Sequence, residues 1–169
     1  MIKALTAPEG PYSRYLMVAI RLMFSYLWFE AASWKNPPTF GLYTGADFYY
    51  WVNNVVQHSN FGLGVYFFKT VVVPNFLFFG WVILILEIAL GISFLLGFKT
   101  RIFAAIVVVY TFFMYMGSFG IPGEWYWSYL LMTMVGLALF AHDTSDAPLS
   151  VDNWLIRRHA RPEGADGSK

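Results

Sequence analysis

Residues 73–101 contain the feature that most constrains the fold of this chain, an apolar run with one carboxylate, Glu87, inside it. The run is long enough to cross a bilayer, since a helix needs about 20 residues to span roughly 30 Å of hydrocarbon. It ends in a basic turn, Lys99-Thr100-Arg101. A lone carboxylate in hydrocarbon costs several kcal/mol. Glu87 therefore needs a cationic partner or a chemical role.

The composition is that of a membrane protein. Hydrophobic residues make up 58% of the 169 residues and charged residues only 12%, and the mean hydropathy is +0.53. Soluble domains carry about 25% charged residues. The net charge of +1 gives no signal for nucleic-acid binding. Because the sequence has no cysteine, disulfides and iron–sulfur ligation are excluded within it.

Four segments have the length and apolarity of membrane-spanning helices. They lie at about residues 15–34, 75–97, 102–119 and 125–141. These segments do not alternate polar and apolar residues, as the strands of a membrane barrel would. The sequence therefore predicts an all-α integral membrane protein whose four-helix bundle occupies residues 15–145, surrounded by the lipid bilayer.

Basic residues gather at one end of this predicted bundle. They are Lys3, Arg14, Lys99, Arg101, Arg157, Arg158 and Arg161. Cytoplasmic segments of membrane proteins carry an excess of lysine and arginine. We therefore expect the N-terminal segment 1–14 and the tail 146–169 to be cytoplasmic, and the protein to be integral to the inner (cytoplasmic) membrane.

The segment 35–74 is expected on the opposite, outer side. Asn36-Pro37-Pro38 ends the first span, because proline lacks the amide donor and clashes with the preceding turn. Residues 47–58 mix aromatic and polar side chains, which is typical of an amphipathic helix lying on a bilayer. Residues 61–73 are apolar but short, and we interpret them as a second surface-lying or re-entrant helix. The segment is either an interfacial cap or a lid over a ligand cleft.

Two charged residues fall inside the predicted spans. Arg21 lies roughly 10 Å and Glu87 roughly 15 Å from the cytoplasmic end, at about 1.5 Å per residue. Arginine is long enough to cover such a difference, so we predict an Arg21–Glu87 ion pair within the bundle. This pair is either a structural pin that fixes helix register or the polar anchor of a bound headgroup, such as a quinone, or a proton-linked site.

A second candidate set lies toward the outer side and comprises Glu30, Lys35 and Lys69. Glu30 is expected one turn below Trp34, where it reaches water or pairs with one of the two lysines. Hydroxyl groups of Tyr110 and its neighbours on the third span are available to a pocket there. No histidine falls in the middle of a span and no metal-binding motif occurs, so we predict no metal site and no resident cofactor, with quinone as the one ligand considered.

A family resemblance rests mainly on residues 72–101. Val72-Val73-Pro74-Asn75 is followed by an apolar span with Glu87 and then by Gly91-Ile92-Ser93-Phe94-Leu95-Leu96-Gly97-Phe98-Lys99-Thr100-Arg101. This stretch resembles the DoxX/DoxD membrane family, with the closer likeness to its small subunits of thiosulfate:quinone oxidoreductases. The likeness covers about residues 15–145, and Arg21 and the end of the first span match the family loosely. It implies a four-helix membrane protein that works with partner subunits in respiratory electron transfer.

Three classes of function remain open at this point. The first is a quinone-facing membrane subunit of an oxidoreductase complex, which depends on other membrane or redox subunits and is not catalytic alone. The second is a non-catalytic structural or assembly subunit of a larger membrane complex, in a homo- or hetero-oligomer. The third is a small transporter. Thiosulfate oxidation by this chain alone is not expected, because the outer side offers only Lys35 and Lys69 to bind a dianion.

Overall fold

The computed structural model describes residues 11–142 and 147–159. All regular structure in these ranges is helical, which confirms the predicted all-α class. The helices are α1 (Pro11–Ser33), α2 (Asp47–His58), α3 (Gly62–Phe67), α4 (Phe76–Leu96), α5 (Thr100–Ser118), α6 (Tyr126–Ala141) and α7 (Val151–His159). A π-helical turn, Phe68–Val72, and a 3-10 turn, Val73–Asn75, join α3 to α4.

Within the part of the chain that the structure describes, three helical segments are long and apolar enough to cross a membrane. They are Arg14–Ser33, Gly62–Leu96 and Thr100–Ser118. Helix α6 is apolar but has only 16 residues. The prediction of apolar membrane-length helices is therefore confirmed, and it indicates a lipid bilayer as the environment of the chain.

The second of these segments begins earlier than the sequence indicated. We expected a surface helix up to about residue 73 and a span from 75, but one helical run of 35 residues extends from Gly62 to Leu96. Pro74 does not interrupt it, because the π-helical and 3-10 turns around the proline change the local hydrogen bonding that a regular helix would require. At about 1.5 Å per residue the run exceeds the roughly 30 Å of hydrocarbon.

Helix α2 is amphipathic, but its apolar side faces the protein. Phe48, Trp51, Val52 and Val55 are buried, and they pack with Phe40, Phe68 and Phe76 in one core at this end of the molecule. We call residues 34–58 and 119–125 at this end the cap. The cap is held to the bundle by ring packing, so it is a folded layer of the protein itself.

The membrane-length helices pack through small residues and short polar side chains. Helix α1 packs mainly on α4, and α5 mainly on α6. Ser25 of α1 donates a hydrogen bond to the Gly91 carbonyl at 2.7 Å, and Thr111 of α5 lies 2.8 Å from Thr133 of α6. Small residues and interhelical hydroxyl bonds of this kind allow close helix contact in lipid, where hydrophobic burial gives no preference between helices.

Candidate functional site

Glu87 has a cationic partner, and that partner is Lys35. Lys35 Nζ lies 2.6 Å from Glu87 Oε2, and the two side chains are 3% and 4% exposed. Lys35 follows the end of α1, and its side chain folds back along the helix so that Nζ also donates to the Ala31 carbonyl at 2.7 Å. The result is a buried ion pair between the end of α1 and the middle of α4.

Aromatic groups surround this pair. The Tyr110 hydroxyl of α5 donates to Glu87 Oε1 at 3.0 Å, so each carboxylate oxygen contacts a donor group. Lys35 Nζ lies 4.4 Å from the ring centroid of Trp34 and 5.5 Å from that of Phe48. Burial lowers the pKa of the Lys35 ammonium, and the Glu87 carboxylate opposes that shift. The charge on Lys35 therefore depends on its contact with Glu87.

A cavity of about 90 Å³ adjoins the pair. Rings and flexible side chains make up most of its wall, which comprises Trp28, Ala31, Trp34, Lys35, Phe48, Trp51, Glu87, Tyr110, Thr111, Met114, Tyr129 and Met132. Trp28 is 1% exposed, and its Nε1 donor has no hydrogen-bond acceptor among the residues that the structure describes. Since an unsatisfied buried donor costs about 1–3 kcal/mol, this wall favours a guest that carries an acceptor oxygen.

A second, more open cavity of about 490 Å³ lies on the cap side of the first, and we call it the outer cavity. Trp34, Trp51 and Tyr129 line both cavities, so these three rings form a wall that the two cavities share. Two of the rings share one acceptor, because Trp51 Nε1 and the Tyr129 hydroxyl both donate to Glu124 Oε1, at 3.4 and 2.8 Å. The buried site is thus one wall of side chains away from the cap surface.

The predicted Arg21–Glu87 pair is not what the structure contains. Arg21 is 1% exposed, and its Nη2 donates to the Leu149 carbonyl at 2.7 Å. Its guanidinium packs directly on Gly97, at the turn between α4 and α5. Side chains tilt toward the N-terminus of their own helix. On antiparallel helices Arg21 and Glu87 therefore lean toward opposite ends, and Glu87 leans toward Lys35.

The structure also separates the members of the predicted outer polar set. Only Lys35 belongs to the buried site. Glu30 is exposed on α1, where it accepts a hydrogen bond from the Tyr26 hydroxyl at 2.8 Å and pairs with neither lysine. Lys69 is exposed on the π-helical turn.

Sequence reasoning missed the cap's contribution to the site. Trp28, Trp51, Glu124 and Tyr129 come from α1, α2, the α5–α6 connection and α6, and only the folded cap brings them together. Tryptophan near a span end is typical of a membrane interface, so nothing in the pattern distinguished these rings from belt residues. In the ranges 11–142 and 147–159 no group of three or more histidine, aspartate or glutamate side chains could hold a metal ion.

The chain matches no protein-family model, no curated protein and no solved structure. The resemblance to the DoxX/DoxD family therefore stays a prediction.

Proposed function

We propose that this protein is a four-span membrane subunit that binds the headgroup of a quinone beside Lys35 and Glu87, as part of an oxidoreductase complex. The observation that carries the proposal is the buried Lys35–Glu87 ion pair at the wall of an aromatic-lined cavity. Ionisable residues inside membrane domains are costly and mark functional sites more often than other positions. The resemblance to DoxX/DoxD proteins points in the same direction.

The chemistry of the wall suits a planar ring with two carbonyl oxygens. Lys35 Nζ and Trp28 Nε1 are donors for such oxygens, and the side chains of Trp28 and Phe48 add apolar surface to the wall. Reduction of a quinone to a quinol takes up two electrons and two protons. The electrons would come from a redox-active partner subunit, because this sequence carries no motif for a resident redox group. Lys35 and Glu87 are the groups placed to exchange protons with the quinone oxygens.

The size of the cavity limits how the ring can enter. At about 90 Å³ it is smaller than the cavity of about 150 Å³ that holds a benzene molecule. Met114 and Met132 lie in its wall, and methionine has three rotatable side-chain bonds and adapts readily to a guest. Binding of a substituted ring would therefore require these methionines to change rotamer.

We also propose that α6 crosses the membrane, which fixes the topology of the chain. With α6 as a fourth, short span, the turn at Gly97, the start of α1 and α7 lie at one end, and the cap lies at the other. Sixteen residues give α6 a length of about 24 Å, which a locally thinned bilayer accommodates at modest cost. The basic residues of the first end then favour the cytoplasm, with the cap on the outer side.

The same ion pair also fits a purely structural pin in an assembly subunit. Mass spectrometry of the tagged complex, released gently from membranes, separates the two functions. We expect wild-type protein to carry a redox partner and bound quinone, and Glu87→Gln to keep the partner while losing the quinone. Glu30→Gln, which removes an exposed carboxylate on α1, serves as the control and should keep both. A structural role would instead give wild-type protein without bound quinone, and Glu87→Gln protein that is less abundant or has lost its partner.

A further inference from the structure

The cavity on the cap side has a wall that one carboxylate holds in place. Its lining includes two acidic residues, Asp47 and Glu124, and three rings shared with the buried cavity. Glu124 Oε1 is the acceptor for both the Tyr129 hydroxyl and the Trp51 indole. Asp47 lines the same cavity but accepts instead from Asn36 Nδ2 at 2.9 Å. The two carboxylates therefore share a charge and a location but differ in what they hold.

We propose that the outer cavity is the aqueous entrance to the Lys35–Glu87 site, and that Glu124 is the positioning residue that keeps Trp51 and Tyr129 across it. The ligands this entrance serves are protons, water and small water-soluble cations, which two carboxylates at the mouth would favour over anions. The inference rests on the buried site of the proposed function, but it does not depend on a quinone occupying that site.

The shared wall of the two cavities supports this route. Trp34, Trp51 and Tyr129 line both spaces, so the two cavities are adjacent and movement of these rings changes the access between them. The hydrogen bond from Tyr129 to Glu124 is the shorter of the two, at 2.8 Å, whereas that from Trp51 is 3.4 Å long. Charge-assisted hydrogen bonds to a carboxylate are about twice as strong as neutral ones. Removing the Glu124 carboxylate should therefore free both rings at once.

The absence of cysteine from the sequence makes a clean accessibility test available. Met114→Cys places one thiol in the wall of the buried cavity, and Asn54→Cys places one in the outer cavity. Each is reacted in lipid nanodiscs with 2-aminoethyl methanethiosulfonate, a small cationic thiol reagent, and the rate is followed by intact-protein mass spectrometry. Met132→Cys repeats the buried measurement at a second wall position.

The expected result is a rate at Met114→Cys that becomes about tenfold faster when Glu124→Ala is added. Tyr129→Phe, which removes one of the two hydrogen bonds, should give a smaller increase. Asp47→Ala is the matched control, since it removes the same charge from the same cavity without releasing a ring. The rate at Asn54→Cys should be fast in every background.

The loss of negative charge alone predicts the opposite change in the reaction rate. A cationic reagent should react more slowly when a nearby carboxylate is lost, so a fall in rate at Met114→Cys with Glu124→Ala would overturn the proposal. An equal increase with Asp47→Ala would overturn it as well, since that would show general loosening of the cap. If Glu124→Ala does not yield monodisperse protein, Tyr129→Phe in place of Glu124→Ala gives the comparison with Asp47→Ala, because it removes the shorter of the two hydrogen bonds to Glu124. None of these rates depends on quinone binding, so failure of the entrance and failure of the proposed function are distinguishable.

Discussion

Lys35 and Glu87 come from the end of α1 and the middle of α4, and their charged atoms lie 2.6 Å apart with both side chains almost fully buried. The pair joins two neighbouring helices at the level where the cap meets the bundle, and it forms part of the wall of a cavity. A buried ion pair of this kind contributes modestly to stability when intact, but breaking it leaves an uncompensated charge. The contribution of the pair to the free energy of unfolding and its role in ligand binding can therefore be tested separately.

The energetic coupling of Lys35 and Glu87 is the first prediction. Lys35→Met and Glu87→Gln should each lower the free energy of unfolding by about 3 kcal/mol, because each leaves one buried charge without its partner. The double variant should recover most of that loss. Reversible unfolding in mixed micelles measures all four proteins. Glu30→Gln, at an exposed carboxylate on α1, is the control and should change stability by less than about 0.5 kcal/mol. Strictly additive effects of the two substitutions would show that the side chains do not interact.

Tyr110 should stabilise the Glu87 carboxylate through its hydroxyl group. Tyr110→Phe removes the donor to Glu87 Oε1 at 3.0 Å, and we expect a loss of about 1.5–3 kcal/mol, the range for hydrogen bonds to charged groups. Tyr26→Phe is the matched control, because its hydroxyl donates to the exposed Glu30 carboxylate. That variant should unfold like the wild type. Equal stability of the two tyrosine variants would contradict the buried contact.

Gly97 should tolerate no side chain, for two separate reasons. Its backbone has φ +64°, and a Cβ there would overlap Nη1 of Arg21. Gly45 shares the first property, with φ +71°, but has open space around it. Gly45→Ala should therefore cost only the left-handed backbone term of about 1–2 kcal/mol. Gly97→Ala should cost clearly more, because Arg21 must also move. Thermal unfolding of the two variants side by side measures the difference, and similar midpoints would argue against the Arg21 contact.

The contact between Thr111 and Thr133 should contribute a small, measurable coupling between α5 and α6. Thr111→Val and Thr133→Val should each destabilise the protein, with a coupling energy of about 0.6 kcal/mol in a double-mutant cycle, as for other interhelical bonds in membranes. Thr70→Val is the comparison, since Thr70 bonds only to its own helix at the Tyr66 carbonyl. A coupling energy of zero would mean that the two hydroxyl groups act only on their own helices.

The sequence was sufficient for those features that local chemistry determines. Asn36-Pro37-Pro38 marked the end of α1, which the structure places at Ser33. The apolar runs predicted helices of membrane length, and the cost of a carboxylate in hydrocarbon indicated that Glu87 needs a cationic partner or a chemical role. The break expected before residue 75 was wrong, because Pro74 lies in a 3-10 turn that continues from the preceding π-helical turn and does not end the helical run.

The choice of partner for Glu87 depended on geometry that spacing along a helix does not contain. Depth alone favoured Arg21, but side chains tilt toward the N-terminus of their helix, and this tilt favours a partner at the cap end. Lys35 lies at that end and reaches back along α1 to meet Glu87. By contrast, the approach of Trp51 and Tyr129 to Glu124 depends on the folded cap, and no pattern in the sequence indicates it.

The most direct test of the central claim is a titration of the purified protein in lipid nanodiscs with a short-chain quinone, followed by quenching of tryptophan fluorescence. Trp28, Trp34 and Trp51 line the buried cavity, so a quinone seated there lies beside three reporter rings. We expect saturable quenching that weakens at least tenfold in Glu87→Gln and Lys35→Met and stays unchanged in Glu30→Gln. Quenching that never saturates, or that is the same in all four proteins, would contradict a quinone site at Lys35 and Glu87.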